Sequence, residues 1–164
     1  MSDHSGHFDA APGSGAETAR AAEDPFALEV LDPTSCWAML RANSVGRIAA
    51  CLDGHPQIFP VTYVVDDESI VFRTAPGTKL SATRDAEVAF EVDGYDSSHG
   101  VASSVIIAGR AREIVDADGW DHAASLPLFP WLAAPMGHFV RITPASVSGR
   151  QFRAPYAGER SRIR

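Results

Sequence analysis

The feature that constrains this chain most is a succession of apolar runs separated by turns too short for anything but reversal. Arg47 to Leu52 is a short apolar run that ends at Asp53-Gly54, a pair suited to the positive φ of a two-residue hairpin. Gln57 to Val65 places β-branched and aromatic residues in near alternation and ends at the acidic turn Asp66-Asp67-Glu68. Ser69 to Thr74 is the third run. Three consecutive strands joined this tightly form an antiparallel meander. Further strands are expected over 87–92, over 104–115 and over 139–152. Gly109 marks a bulge or a close approach, and Pro144 is tolerated only at an edge or a bulge. The polar stretch 94–103 reads as a loop. Asp32-Pro33 starts a helix over about 33–43, with Asp as cap and Pro at the first helical position. Thr78 is expected to cap a second short helix over 78–84, and 118–126 reads as a third. About six strands, with no regular βαβ alternation, predict a mainly β chain closed as a small antiparallel barrel.

At 164 residues, there is room for one domain, expected over 26–152. Residues 1–25 are Gly, Ala, Ser, Asp and His with almost nothing to bury, and read as a disordered acidic tail. His4 and His7 there suggest only adventitious metal binding. Residues 153–164 form a basic tail, either a solvated terminus or a contact for an acidic partner. The net charge of −7 argues against general nucleic-acid affinity. Two cysteines, Cys36 and Cys51, exclude a disulfide scaffold, and both read as buried inert thiols. No apolar run approaches the roughly 20 residues of a membrane span. The acidic start lacks the pattern of a signal peptide, so a cytoplasmic location is expected.

The stretch richest in chemistry is Phe72-Arg73-Thr74-Ala75-Pro76-Gly77-Thr78-Lys79-Leu80. A strand delivers Arg73 and Thr74 to its end, and a Pro-Gly turn leads into a helix start with Thr78 and Lys79. Free N–H groups at a helix start favour an anion. Arg forks onto two phosphate oxygens, Lys adds a point charge, and the hydroxyls donate. The set reads as a monophosphate cradle. The plainer alternative is an exposed turn whose cations pair with Asp66, Asp67 or Asp85. Thirteen of the fourteen cations are Arg and the one lysine is Lys79, which favours the functional reading. No dinucleotide-binding Gly-x-Gly-x-x-Gly and no Walker loop is present. His55, His99, His122 and His138 have no partner at metal-ligand spacing. Phe129 and Trp131, between prolines, suit a lid, a core or an interface.

Several segments together carry a family resemblance. They are Val45-Gly46-Arg47-Ile48-Ala49, Asp53-Gly54-x-Pro56, Pro60-Val61-Thr62-Tyr63, the Phe72 to Leu80 stretch, and Val88 to Asp93, followed by Ser104 to Ala111 and Arg141-Ile142-x-Pro144. In order and spacing they resemble the pyridoxamine 5'-phosphate oxidase-like family of flavin-binding split β-barrels, over about residues 28–150. The resemblance implies a homodimer with two flavin sites at the subunit interface. Arg73, Thr74, Thr78 and Lys79 would hold the phosphate of flavin mononucleotide (FMN). Pro60, Val61, Thr62 and Tyr63 would line the flavin ring through backbone groups, and Ser103 and Ser104 of the partner chain would complete the site. The implied activity is that of an FMN-dependent oxidoreductase on a small conjugated substrate. The C-terminal Ser161-Arg162-Ile163-Arg164 lacks the Arg-x-x-Pro ending expected for pyridoxamine phosphate oxidation itself. Other members use a deazaflavin coenzyme, bind haem or bind a cofactor without turnover. A haem ligand here would be His99 or His138.

Overall fold

The computed structural model describes residues 28–128 and 137–153. In chain order the elements are β1 (Leu28–Leu31), α1 (Pro33–Ala42), β2 (Val45–Leu52), β3 (His55–Asp66), β4 (Ser69–Thr74), α2 (Thr78–Thr83), β5 (Ala86–Asp96), β6 (Val101–Ile114), α3 (Ala117–Ser125) and β7 (His138–Arg153). The strands lie in the order β1-β7-β4-β3-β2-β5-β6, every pairing is antiparallel, and β6 also pairs with β7. Six strands therefore close a ring, and β1 lies beside the far half of β7. This is the expected small barrel with one added edge strand.

The turns behave as their chemistry requires. Asp53 and Gly54 have φ of 51° and 77°, and Asp67 has 52°. At α1, Asp32 accepts the Ser35 N–H at 3.0 Å, with Pro33 opening the helix. Pro144 sits at a break in register: Ala108 faces Ser146, whereas Gly109 faces Pro144. A Cβ on Gly109 would lie 2.3 Å from the Thr143 carbonyl oxygen, so the close approach requires glycine.

Three expectations need correction. The stretch 94–103 is not a loop, because β5 continues to Asp96 and β6 begins at Val101. Its polar residues lie on a strand extension beyond the core, where polarity does not forbid pairing. Thr78 does not cap α2; Gly77 does, at φ 143° and with no side-chain bond. Cys51 is exposed while Cys36 is buried, because alternation along β2 turns Ala50 inward and Cys51 outward.

The core is the barrel interior. Ile48, Ile70, Phe72, Phe90, Val105, Ile107, Val140 and Ile142 point into it, and α1 closes it with Cys36, Trp37 and Leu40. The Tyr63 hydroxyl donates to the Leu40 carbonyl at 2.6 Å, and burial pushes the phenol pKa well up. Helix α3 lies against the outside of β4 and β7, where Ala123 meets Val71 and Phe139. The N-terminal tail, Phe129, Trp131 and the C-terminal tail after Arg153 lie outside the described residues.

Candidate functional site

The barrel is split on one side of β3. The ladder between β3 and β4 covers only Tyr63 to Asp66, whereas β2 pairs with β3 from His55 to Thr62. Over 55–62 the second edge of β3 therefore has no ladder partner. The Tyr63 N–H donates to Ser44 on the β2 side at 3.0 Å. Backbone groups alternate along a strand, so those of Pro60 face the open edge. There the Lys79 ammonium donates to the Pro60 carbonyl at 2.9 Å. This bond joins two segments 19 residues apart, the Pro-Gly turn and the strand expected to line a flavin ring.

Lys79 is half-buried, and burial pushes its pKa below that of an ordinary lysine. A partly desolvated ammonium held by a neutral carbonyl gains from an anion nearby. Arg73 lies at the end of β4 with its guanidinium 5.5 Å from the Phe139 ring centre. Phe139 in turn meets Trp120 of α3 edge-on, with centroids 5.5 Å apart at 78°. Thr74 is buried and its hydroxyl donates to the Ala75 carbonyl at 3.2 Å, so it braces the turn. Thr78 is exposed at the first residue of α2. Two of the carboxylates that could have neutralised the turn are engaged elsewhere. Asp66 accepts from Arg141 at 2.6 Å and from His122 at 3.1 Å. Burial alone would raise its pKa, but those two partners hold it below the usual range. Asp85 faces Arg110 and Arg112, whose hydrogen bonds keep its carboxyl low.

The other residues named from sequence divide by face. Val61 and Tyr63 are core side chains, so only their backbones are available to a ligand. Pro60 and Thr62 alternate with them and face outward. On the same outer row, Thr62 pairs with Val45, Asp93 with Ser104, and Ser104 with Arg150. Ser103 faces the opposite way, into a cleft with His99 and Gln151. Ser103 and Ser104 are thus separated onto two sides of β6. Through β7, Ser104 and Arg73 are two strands apart, but Arg73 pairs with Phe139 and Ser104 with Arg150, positions separated by roughly 36 Å of strand at the usual rise per residue. One protomer does not bring them together.

Tertiary pairing supplies partners for all four histidines among the described residues. His138 Nδ1 lies 2.5 Å from Glu113, which also accepts from Arg84 Nε at 2.8 Å. His138 faces Thr74 in register, so this cluster borders the turn. His99 pairs with Asp96 at 2.6 Å, His122 with Asp66, and His55 with the Asp53 carbonyl at 2.9 Å. Glu113 and His138 are 25 residues apart, and no sequence pattern joins them. Among the described residues no three His, Cys, Asp or Glu groups come together for a metal ion. No helix there is long and apolar enough to cross a membrane. On the outer wall, Ala49, Ile58, Ala89 and Ala108 line an open apolar groove of about 420 Å³.

The donor set fits a phosphorylated planar cofactor: a fork, a point charge, an exposed hydroxyl and a strand edge beside them. Comparison with known proteins agrees on the ancestry. An uncharacterized protein of Mycobacterium tuberculosis is 38% identical over 91 residues, covering 55% of this chain and 81% of the relative. The solved FAD binding protein of Mycobacterium smegmatis is 38% identical, with a TM-score of 0.66, and the match covers 76% of this chain and 98% of that one. An FAD-binding protein of Mesorhizobium loti is 29% identical, with a TM-score of 0.62, covering 77% and 97%. Residues 32–151 match the pyridoxamine 5'-phosphate oxidase family. The ring of antiparallel strands, its split beside β3 and this match over most of the barrel make the chain a member of that family.

Proposed function

We propose that this protein is a flavin-dependent oxidoreductase whose cofactor lies between the β4–α2 turn and the open edge of β3, at the interface of a homodimer. The observation that carries the reading is the Lys79 to Pro60 bond. It sets the chain's one lysine at the open edge of β3, which supports a phosphate there at the end of a ring lying along the strand. Arg73 forks onto that phosphate, Lys79 supplies the point charge, and Thr78 adds a hydroxyl. Thr74 braces the turn from inside. Pro60 offers the ring an acceptor but no N–H. The flavin, when bound, supplies hydride or electron transfer to a small conjugated substrate, and the protein supplies placement and electrostatics. FMN is the smallest ligand that meets the cradle. FAD, named for the relatives from Mycobacterium smegmatis and Mesorhizobium loti, carries the same ring and adjoining phosphate, and a deazaflavin coenzyme would meet the same contacts.

The outer wall supports the dimer. Ile58 is 68% exposed and Ile106 43%, and with the alanines between them they make an apolar face that a monomer leaves wet. In that dimer Ser104 completes the partner's site, because within one chain its register along β7 lies far from that of Arg73. The test is a visible absorption spectrum of the purified protein, followed by titration with FMN, FAD and a deazaflavin coenzyme. Bands close to those of free oxidised flavin, or saturable titration by one of the three, are expected. A protein with no band that takes up none of them has another function.

A further inference from the structure

Past the rim of the barrel, β5, β6 and the end of β7 continue as one extension of the sheet, an arm whose inner face changes character. Val92, Val105 and Gly149 form a buried row. The next row on that face is Gly94, Ser103 and Gln151, again paired in register. With Asn43 at the end of α1 and His99 at the tip of the arm, these residues line a cleft of about 580 Å³, a size that takes a small ligand.

Gly94 gives the second observation. Its φ is not positive, and a Cβ there would meet nothing within 4 Å. By contrast, a Cβ on Gly46 would lie 2.4 Å from the Phe90 ring. Neither backbone conformation nor packing requires glycine at 94, and glycine weakens a strand. What it leaves is bare backbone on the floor of a cleft, as the close approach of a flat molecule demands.

The polar groups narrow the ligand. Asn43 Nδ2 donates to the Met39 carbonyl at 2.9 Å, and Gln151 Nε2 to Glu29 at 3.2 Å. Each amide is thereby held by one N–H, and keeps its oxygen and its other N–H. An amide of this kind matches the paired donor and acceptor on the N6/N7 edge of adenine. Asp96 accepts from the Ser98 N–H at 2.8 Å and holds His99 Nδ1 at 2.6 Å, which spends its carboxylate and fixes the imidazole with Nε2 still available. Arg153 pairs with Val101 at the mouth. It lies two residues beyond Gln151 and so on the same face, a cation placed for a phosphate.

We propose that this cleft is an adenine-nucleotide site, with the base on Gly94 between the Asn43 and Gln151 amides and the phosphate toward Arg153. Arg73 and Lys79 take no part in it, so it stands apart from the flavin reading. The experiment is calorimetric titration of the whole chain with AMP, alongside Gly94→Val and Arg153→Ala. AMP should bind the parent. Gly94→Val fills open space and should keep the parental melting temperature while weakening AMP at least about tenfold, or 1.4 kcal/mol. Arg153→Ala should bind AMP no better than the parent binds adenosine. FMN affinity should be unchanged in both variants. FAD that displaces AMP makes a dinucleotide the occupant; FAD that does not leaves a free nucleotide as the ligand, and either supports the site. If AMP fails to bind at millimolar concentration, or binds folded Gly94→Val as tightly as the parent, the proposal is overturned. A parent that binds AMP but no flavin would instead remove the flavin reading alone, and a variant that loses FMN together with AMP would overturn the separateness of the cleft.

Discussion

Lys79→Met tests the cradle most directly, because the geometry makes opposite demands on folding and on binding. In the free protein the Lys79 ammonium is half-buried and bonded to one neutral carbonyl. Its charge is therefore carried at a desolvation cost, and burial depresses its pKa. Methionine keeps the stem and removes the charge, so the melting temperature should hold or rise. Binding should move the other way. A charge-assisted bond to phosphate contributes about 1.5–3 kcal/mol, which is roughly a 10- to 150-fold weaker Kd. Coulomb's law at 4 Å and an effective dielectric of 20 allows about 4 kcal/mol, so the range is not limited by the field. The assay is flavin fluorescence titration with FMN and with riboflavin, which has the ring but no phosphate. FMN should weaken by the stated factor and riboflavin should not change. The depressed pKa adds a pH dependence: the parent should lose FMN affinity at a lower alkaline pH than an exposed lysine near 10.4 would give, and Lys79→Met should lack that limb. An FMN Kd within twofold of the parent, or an equal loss for riboflavin, would refute the placement of the phosphate.

Other expectations follow from named contacts. Gly109→Ala places a Cβ 2.3 Å from the Thr143 carbonyl oxygen, backbone that cannot retreat cheaply; a loss of about 1–3 kcal/mol in urea unfolding is expected, and an unchanged midpoint would contradict the bulge geometry. Ile58→Arg charges the centre of the outer apolar face and should shift light-scattering mass from dimer to monomer. Cys51 borders that face, so its thiol labelling should quicken in the same variant. Asp66 and Glu113 are both held below their ordinary values, near 3.9 and 4.3 when unfolded. Burial works against Asp66, and its Arg141 and His122 partners outweigh it; for Glu113 the His138 hydrogen bond leads. Each adds stability above its unfolded pKa and loses it as pH falls through its lower folded one. Thermal melts should be flat from about pH 7 to 5 and should decline below about pH 4; a flat profile to pH 3 would show that these pairs do not stabilise the fold.

The strands, their turns and the bulge at Gly109 were legible because each is a local effect. Alternation fixes a face, Asp53-Gly54 fixes a reversal, and Pro144 removes a donor wherever it lies. The cradle was legible as a candidate for the same reason: Arg73 to Lys79 is one continuous stretch in which strand, turn and helix start follow one another. Where local polarity conflicted with pairing, local reading failed. The arm beyond Asp93 reads locally as a loop, although its backbone groups are satisfied by the partner strand whatever its side chains prefer. Thr78 reads locally as a cap, although it is Gly77 that tolerates the φ of 143° that starts α2.

What closes the barrel was decided only in three dimensions. The β3–β4 ladder stops at Tyr63 and Phe72; Arg73 and Thr74 continue β4 against β7 alone before the chain turns into α2. That exposes a strand edge, and the sequence does not say that Lys79 will reach it. The pairing of His138 with Glu113, the support of Arg73 by Phe139 and Trp120, and the opposite faces of Ser103 and Ser104 also arise from register between distant strands. Register follows from how the hydrophobic faces meet. A single sequence states which side chains share a face of one strand; only the closed sheet states which faces meet.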